Sequence, residues 1–232
     1  MPAQTHGSIK GGYKLCNYAD SCVGPGGGVE IMKVVVITGG IGSGKSWACR
    51  YLSDRYGWPV YEADERVKQL YESHPSLLAE IESALGRGFR DGRNRFSPRL
   101  LSEVIFKDKT ALERVEELVF PVLTQDFENW KSVHATSGVV IIESATILEK
   151  PQLAGLGDIY LLIDAPVDLR LSRAVSRDAA SKEKIIQRMQ AQKLMNDISD
   201  GKVKAPVDYV VFNDDSAEKF AAKLEELAAK IS

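Results

Sequence analysis

The sequence is poor in cysteine, lacks long apolar runs and carries no excess of charge of either sign. Three cysteines in 232 residues (Cys16, Cys22, Cys49) are too few and too unevenly placed for a disulfide framework. That points to a reducing compartment and a cytoplasmic protein. Cys16 and Cys22 have no neighbouring Cys or His pair to complete a zinc site. No apolar run approaches the ~20 residues that a membrane helix needs, so no membrane partner is expected. Thirty basic residues against 32 acidic ones leave a formal charge of -2, which does not suggest a nucleic-acid partner. A guanine-type N-K-x-D motif is missing, and there is no long region for a helicase or motor domain. What is present is ordinary globular composition, 44% hydrophobic and 27% charged, at a length that suits one α/β domain with a small insert. A monomer or weak oligomer is expected.

Residues 1–31 read differently from the rest. Glycines are scattered through them, no hydrophobic period is present, and the GPGGG run at Gly24 to Gly28 reads as a flexible linker. We expect the natural start at Met32, with a real accessory arm as the alternative. From Lys33 the pattern becomes regular. KVVVIT is a continuous β-branched run, the mark of a parallel strand buried on both faces. A helix is predicted over Ser46 to Tyr56 and a short strand over Trp58 to Tyr61. Helical stretches follow between Asp64 and His134, broken at Pro75, at the polar turn Asp91 to Arg95 and at Pro121. Further strands are predicted at Gly138 to Ile142, Ile159 to Ile163 and Asp208 to Phe212. Helices are predicted at Val167 to Arg177 and Lys182 to Leu194, with another at the C-terminus. Alternation of strand and helix implies a parallel sheet flanked by helices. Residues 32–232 then form one domain, with a helical substrate lobe near 64–135 and a lid near 173–205.

The strongest signal is Gly39-Gly40-Ile41-Gly42-Ser43-Gly44-Lys45-Ser46, which matches G-x-x-x-x-G-K-[ST] between a buried strand and a helix start. Glycines let the backbone curl so that successive N–H groups point at phosphate oxygens. The helix N-terminus adds partial positive charge. Lys45 would contact the β- and γ-phosphates of a nucleoside triphosphate, and the Ser46 hydroxyl would ligate Mg²⁺. Gly40 to Trp47 are thus candidate nucleotide-binding residues.

A small kinase needs a carboxylate near the transferred phosphoryl group and arginines to offset its charge. Glu62 and Asp64 end the second strand, and alternation would aim both at the crevice. Asp64 could equally cap the helix that follows. Glu143, at the end of VVIIE, could orient Mg²⁺-bound water or simply pair with a cation. Arg170, Arg173 and Arg177 follow the fourth strand. Arg173 and Arg177 are four apart and share a helix face, although most charged helical faces are merely solvated.

Taken together, these segments resemble the dephospho-coenzyme A kinase family. VITGGIGSGKS is similar to its opening strand and loop, VYEADERVKQL to its V-x-D-A-D segment, and DGRNRFSPRLLSEVIF to its D-G-x-x-[DN]-R stretch. ESATILEK resembles its P-L-L-x-E region with Glu149 as the matching acid, LSRAVSRD its R-x-x-x-R lid, and DYVVFND its last strand. The resemblance implies the P-loop NTPase fold and transfer of the ATP γ-phosphate to the ribose 3′-hydroxyl of dephospho-CoA, with Mg²⁺. It further implies that Asp64 handles the 3′-OH proton, that Arg173 and Arg177 form the lid pair, and that Asn213 lies near adenine. Departures occur at Trp47 (usually Thr), Glu62 (usually Asp), Phe120-Pro121 (usually His-Pro) and Ala145 to Leu148. A kinase acting on another small molecule and a nucleotide-dependent regulatory protein are the alternatives at this stage.

Overall fold

In the computed structural model, residues 31–231 apart from 154, 179, 205 and 215 are described. The expected N-terminal extension and the Cys16/Cys22 reading fall outside them. The central strand, β1 (Lys33–Thr38), decides the layers. Its side chains alternate across the sheet, so Val34 and Val36 enter one hydrophobic core and Val35 and Ile37 another. Both faces are covered, which is why the run is continuously apolar.

The sheet contains β1, β2 (Val60–Glu62), β3 (Val139–Glu143), β4 (Ile159–Asp164) and β5 (Tyr209–Phe212). All are parallel, in the order β2-β3-β1-β4-β5. On the Val35/Ile37 side pack α1 (Lys45–Tyr56) and the C-terminal helix α9 (Ala217–Ile231), through Leu52, Phe220 and Leu224. The other core belongs to the lobe of α2 (Ala63–Ser73), α3 (Pro75–Leu85), α4 (Pro98–Ile105) and α5 (Lys109–Val133). Beyond β4 come α6 (Val167–Arg177), α7 (Lys182–Ala191) and α8 (Lys193–Ser199). A third small core joins Ala174, Ile185 and Met189 to Ile41.

Three expectations are corrected. Pro121 does not break its helix but sits inside the 25-residue α5. The missing N–H lies on an exposed face, while Val115, Val119, Leu123 and Phe127 are buried at four-residue spacing on the opposite stripe. Tertiary packing on both sides of the proline holds the helix through it. The predicted helix Lys182 to Leu194 is two helices, because Gln192 takes a non-helical conformation (φ -80°, ψ 68°) between α7 and α8. The second strand ends at Glu62, so strand alternation does not place Asp64. It stands in the first turn of α2.

The polar turn at Asp91 forms as expected: its carboxylate accepts from the Arg93 and Arg95 amides, and these bonds hold its pKa below the usual range.

Candidate active site

The phosphate loop lies between β1 and α1, at the carboxyl edge of the sheet where strand order reverses around β1. Two of its glycines have no substitute. Gly42 has φ +76°, and a Cβ there would stand 2.1 Å from the Arg170 carbonyl oxygen. Gly44, the N-cap of α1, has φ +106°, and a Cβ would stand 2.3 Å from Asn213 Nδ2. Backbone conformation and close packing both require glycine.

Lys45 Nζ donates to the carbonyls of Gly39 (2.8 Å) and Gly40 (3.3 Å), which folds the side chain over the loop. Burial lowers its pKa, and the charges of Glu143 and Asp64 oppose that shift. Ser46 Oγ donates to Glu143 Oε1 at 2.7 Å. Glu143 ends β3 beside Ile37 of β1 and Glu62 of β2. Trp47 is partly buried, with its ring stacked on Tyr51 at 5.1 Å and close to Phe220, so its indole packs α1 against α9.

Asp64 is exposed, and its carboxylate is engaged by the segment that follows β3. Oδ1 accepts from Ser144 Oγ and Oδ2 from the Ala145 amide, each at 3.2 Å. The N-cap position of α2 belongs to Glu62, so Asp64 is not the cap. A carboxylate held this way by the end of β3 retains lone pairs for a hydroxyl in the crevice.

Asp64 also lines a cavity of about 380 Å³ that runs into the helical lobe. Tyr71, Phe106 and Phe120 form apolar wall, and Ser144 and Lys150 are polar contributors. The Lys150 ammonium pairs with Glu116 on that wall. An acceptor with one reactive hydroxyl at Asp64 and a larger body in the lobe fits this shape.

The arginines separate. Arg173 is half-buried and donates to the Asn213 carbonyl (3.2 Å) and Oδ1 (3.3 Å). Arg177 is exposed and bound to Asp178, which raises its pKa; Glu143 adds a smaller pull in the same direction. Although four apart on α6, the pair is held by separate partners. Asn213 is buried below the loop, where its Nδ2 donates to the Ser43 carbonyl at 2.8 Å. Its amide is engaged on both sides.

Arg170, left behind in favour of Arg173 and Arg177 at the level of sequence, is fully buried and donates from Nε to the Ile41 carbonyl at 3.1 Å. Gln192 joins the site from the end of α7: its Oε1 accepts from the Ile41 amide at 2.8 Å. A polar residue near the end of a helical stretch gives no sequence signal of such a contact. Among the described residues, Thr38 Oγ1, Ser43 Oγ and Arg170 Nη2 are buried without hydrogen-bond partners, and all three lie in or against the phosphate loop. Concentration of unpartnered polar atoms at one loop suits a site that receives an anion rich in acceptor oxygens.

A phosphate loop on a five-stranded parallel sheet, with a cavity opening beside it, defines a P-loop kinase that draws on ATP. The dephospho-CoA kinase family model matches residues 33–219, and the chain belongs to that family. It is 32% identical to the dephospho-CoA kinase of Bacteroides fragilis over 192 residues, covering 83% of this chain and 90% of the relative. To the enzyme of Porphyromonas gingivalis it is 35% identical over 182 residues, covering 78% and 86%. The solved dephospho-CoA kinase of Campylobacter jejuni shares the fold with a TM-score of 0.59 at 19% identity, over 87% of this chain and 98% of the other.

Proposed function

We propose that the protein transfers the γ-phosphoryl group of ATP to the ribose 3′-hydroxyl of dephospho-CoA, giving coenzyme A and ADP. The observation that carries this reading, beside family membership, is Asp64: an anchored carboxylate shared by the crevice of the phosphate loop and the mouth of the acceptor cavity. The O3′ oxygen forms a bond to the γ-phosphorus as the bond to the β,γ-bridging oxygen breaks, and the 3′-OH proton passes to Asp64. Lys45 leaves the loop carbonyls for the β- and γ-phosphates. The amides of the loop and the amino end of α1 hold the triphosphate. Arg177, already in the field of Glu143, offsets charge on the transferred group, and Arg173 braces the loop through Asn213. Glu149 ends a short 3-10 turn after β3, next to Lys150 of the cavity wall.

The Ser46 hydroxyl and the Glu143 carboxylate are oxygen donors suited to a hard cation. Among the described residues no group of three acidic, His or Cys side chains could hold a metal ion alone, so Mg²⁺ would rely on Ser46, Glu143 through water, and phosphate oxygens. Bound there, it neutralises charge on the β- and γ-phosphates. The helical lobe of residues 64–135 takes the acceptor, and the lid near 173–205 covers the nucleotide. Cytoplasmic location is supported by the low cysteine count; Cys49 is buried, and burial pushes its thiol pKa up.

The test is ADP release from ATP with and without dephospho-CoA, with the product's phosphate position read by NMR. Acceptor-dependent release and a 3′-phosphate are expected. Release driven instead by a nucleoside or nucleotide would move the protein to another kinase activity, and no release with retained ATP binding would make it a regulatory protein.

A further inference from the structure

We propose that Gln192 and Arg170 are positioning residues, which hold Ile41 of the phosphate loop by its amide and its carbonyl and thereby set the loop's affinity for ATP. The Ile41 amide donates to Gln192 Oε1 at 2.8 Å, and the Ile41 carbonyl accepts from Arg170 Nε at 3.1 Å. Its side chain packs beside Ala174, Ile185 and Met189 of α6 and α7. Three independent attachments therefore converge on one residue, from partners 129 and 151 positions away.

Ile41 is also the one non-glycine in the run Gly39 to Gly42. A glycine-rich loop has many accessible backbone states, and a ligand that needs one of them must supply the cost of ordering it. Fixing the single residue with a side chain removes much of that freedom before ATP arrives. Both clamps have the rigidity this requires. Arg170 is 1% exposed and Gln192 is 8% exposed. Gln192 sits at the bend between α7 and α8, where Asn196 Nδ2 donates to the Met189 carbonyl and closes the end of α7. Arg170 fits against the loop so closely that a Cβ on Gly40 would lie 1.9 Å from its Nη2.

The inference rests on the phosphotransfer reading only in taking ATP as the ligand of the loop. It is tested on the full chain with Gln192→Leu, Arg170→Met and the double variant, by calorimetric titration with ATP and Mg²⁺ and by kcat and KM for both substrates. Each single change should weaken ATP binding roughly fivefold to tenfold, the range of one net hydrogen bond. KM for ATP should rise with it, while KM for dephospho-CoA stays within twofold. The double variant should lose less than the product of the two single losses, because both contacts fix the backbone of one residue, through the peptide before it and the peptide after it. ATP affinity within twofold of the parent in Gln192→Leu would overturn the proposal, as would a double variant equal to that product. If Arg170→Met does not fold, Arg170→Gln replaces it in the cycle. A parent that binds ATP yet releases no ADP with dephospho-CoA removes the phosphotransfer reading and leaves the affinity comparison standing.

Discussion

Ser46 and Glu143 meet across 97 positions of sequence, the hydroxyl donating to the carboxylate at 2.7 Å. The bond joins the first turn of α1 to the end of β3, and on the proposed function these are the two groups that would support a divalent cation. Glu143→Gln keeps the size of the side chain and an acceptor for Ser46 but removes the charge. The Mg²⁺ concentration for half-maximal rate should rise about 10- to 100-fold, as for other supporting groups of metal sites. A titration of rate against Mg²⁺ at saturating ATP measures it; an unchanged midpoint would remove Glu143 from that role.

Asp64→Asn separates proton transfer from architecture. Asparagine can still accept from Ser144 or Ala145, so melting should shift little. The basic oxygen is lost, and kcat should fall by about 10²- to 10⁴-fold with ATP affinity unchanged. A rate within threefold of the parent at equal stability would be incompatible with a base at this position.

Phe120 occupies the wall of the cavity beside Asp64. Phe120→Ala should raise KM for dephospho-CoA by roughly tenfold through lost apolar contact, leaving KM for ATP within twofold. Equal effects on both substrates would show that the ring serves the lobe's stability and not its ligand.

Asp126 ties three elements. It accepts from Tyr61 of β2 (2.7 Å) and from Arg66 of α2 (2.6 and 2.9 Å). The Arg66 hydrogen bonds, and then Tyr61, hold its pKa below the usual carboxylate range, against desolvation. A depressed folded-state pKa contributes stability that is present above the ordinary value near 3.9 and is lost as pH falls through the lower folded value. Asp126→Asn should therefore melt a few degrees lower at pH 7, roughly 3–6 °C. The gap should narrow below about pH 4. A gap that persists undiminished at pH 3 would mean that shape, not charge, makes the difference.

Sheet and loop were legible because their signals are local. KVVVIT announces a strand buried on both faces, and the spacing of Gly39, Gly44, Lys45 and Ser46 announces the turn that follows. The α6 boundaries, Val167 and Arg177, were also readable from periodicity. What escaped was tertiary. Pro121 is carried by a buried stripe on the far side of α5, which no local rule registers. Gln192 bends a helical stretch and reaches back 151 residues to the loop. Arg170 outranks its two neighbours in burial only because α6 lies against glycines, and Asp64 takes its place from the first turn of a helix and not from strand pleating.

The two cores divided by β1 set the terms on which this enzyme can diverge. The helix that follows the phosphate loop leans on Val35, Ile37 and α9, and the cavity beside Asp64 leans on the core of Val34, Val36 and the helical lobe. A change in the lobe, at Phe120 for example, can reshape the cavity without disturbing the packing beneath the phosphate loop. The shape of the cavity and the footing of the phosphate loop are thus assigned to opposite faces of a single strand.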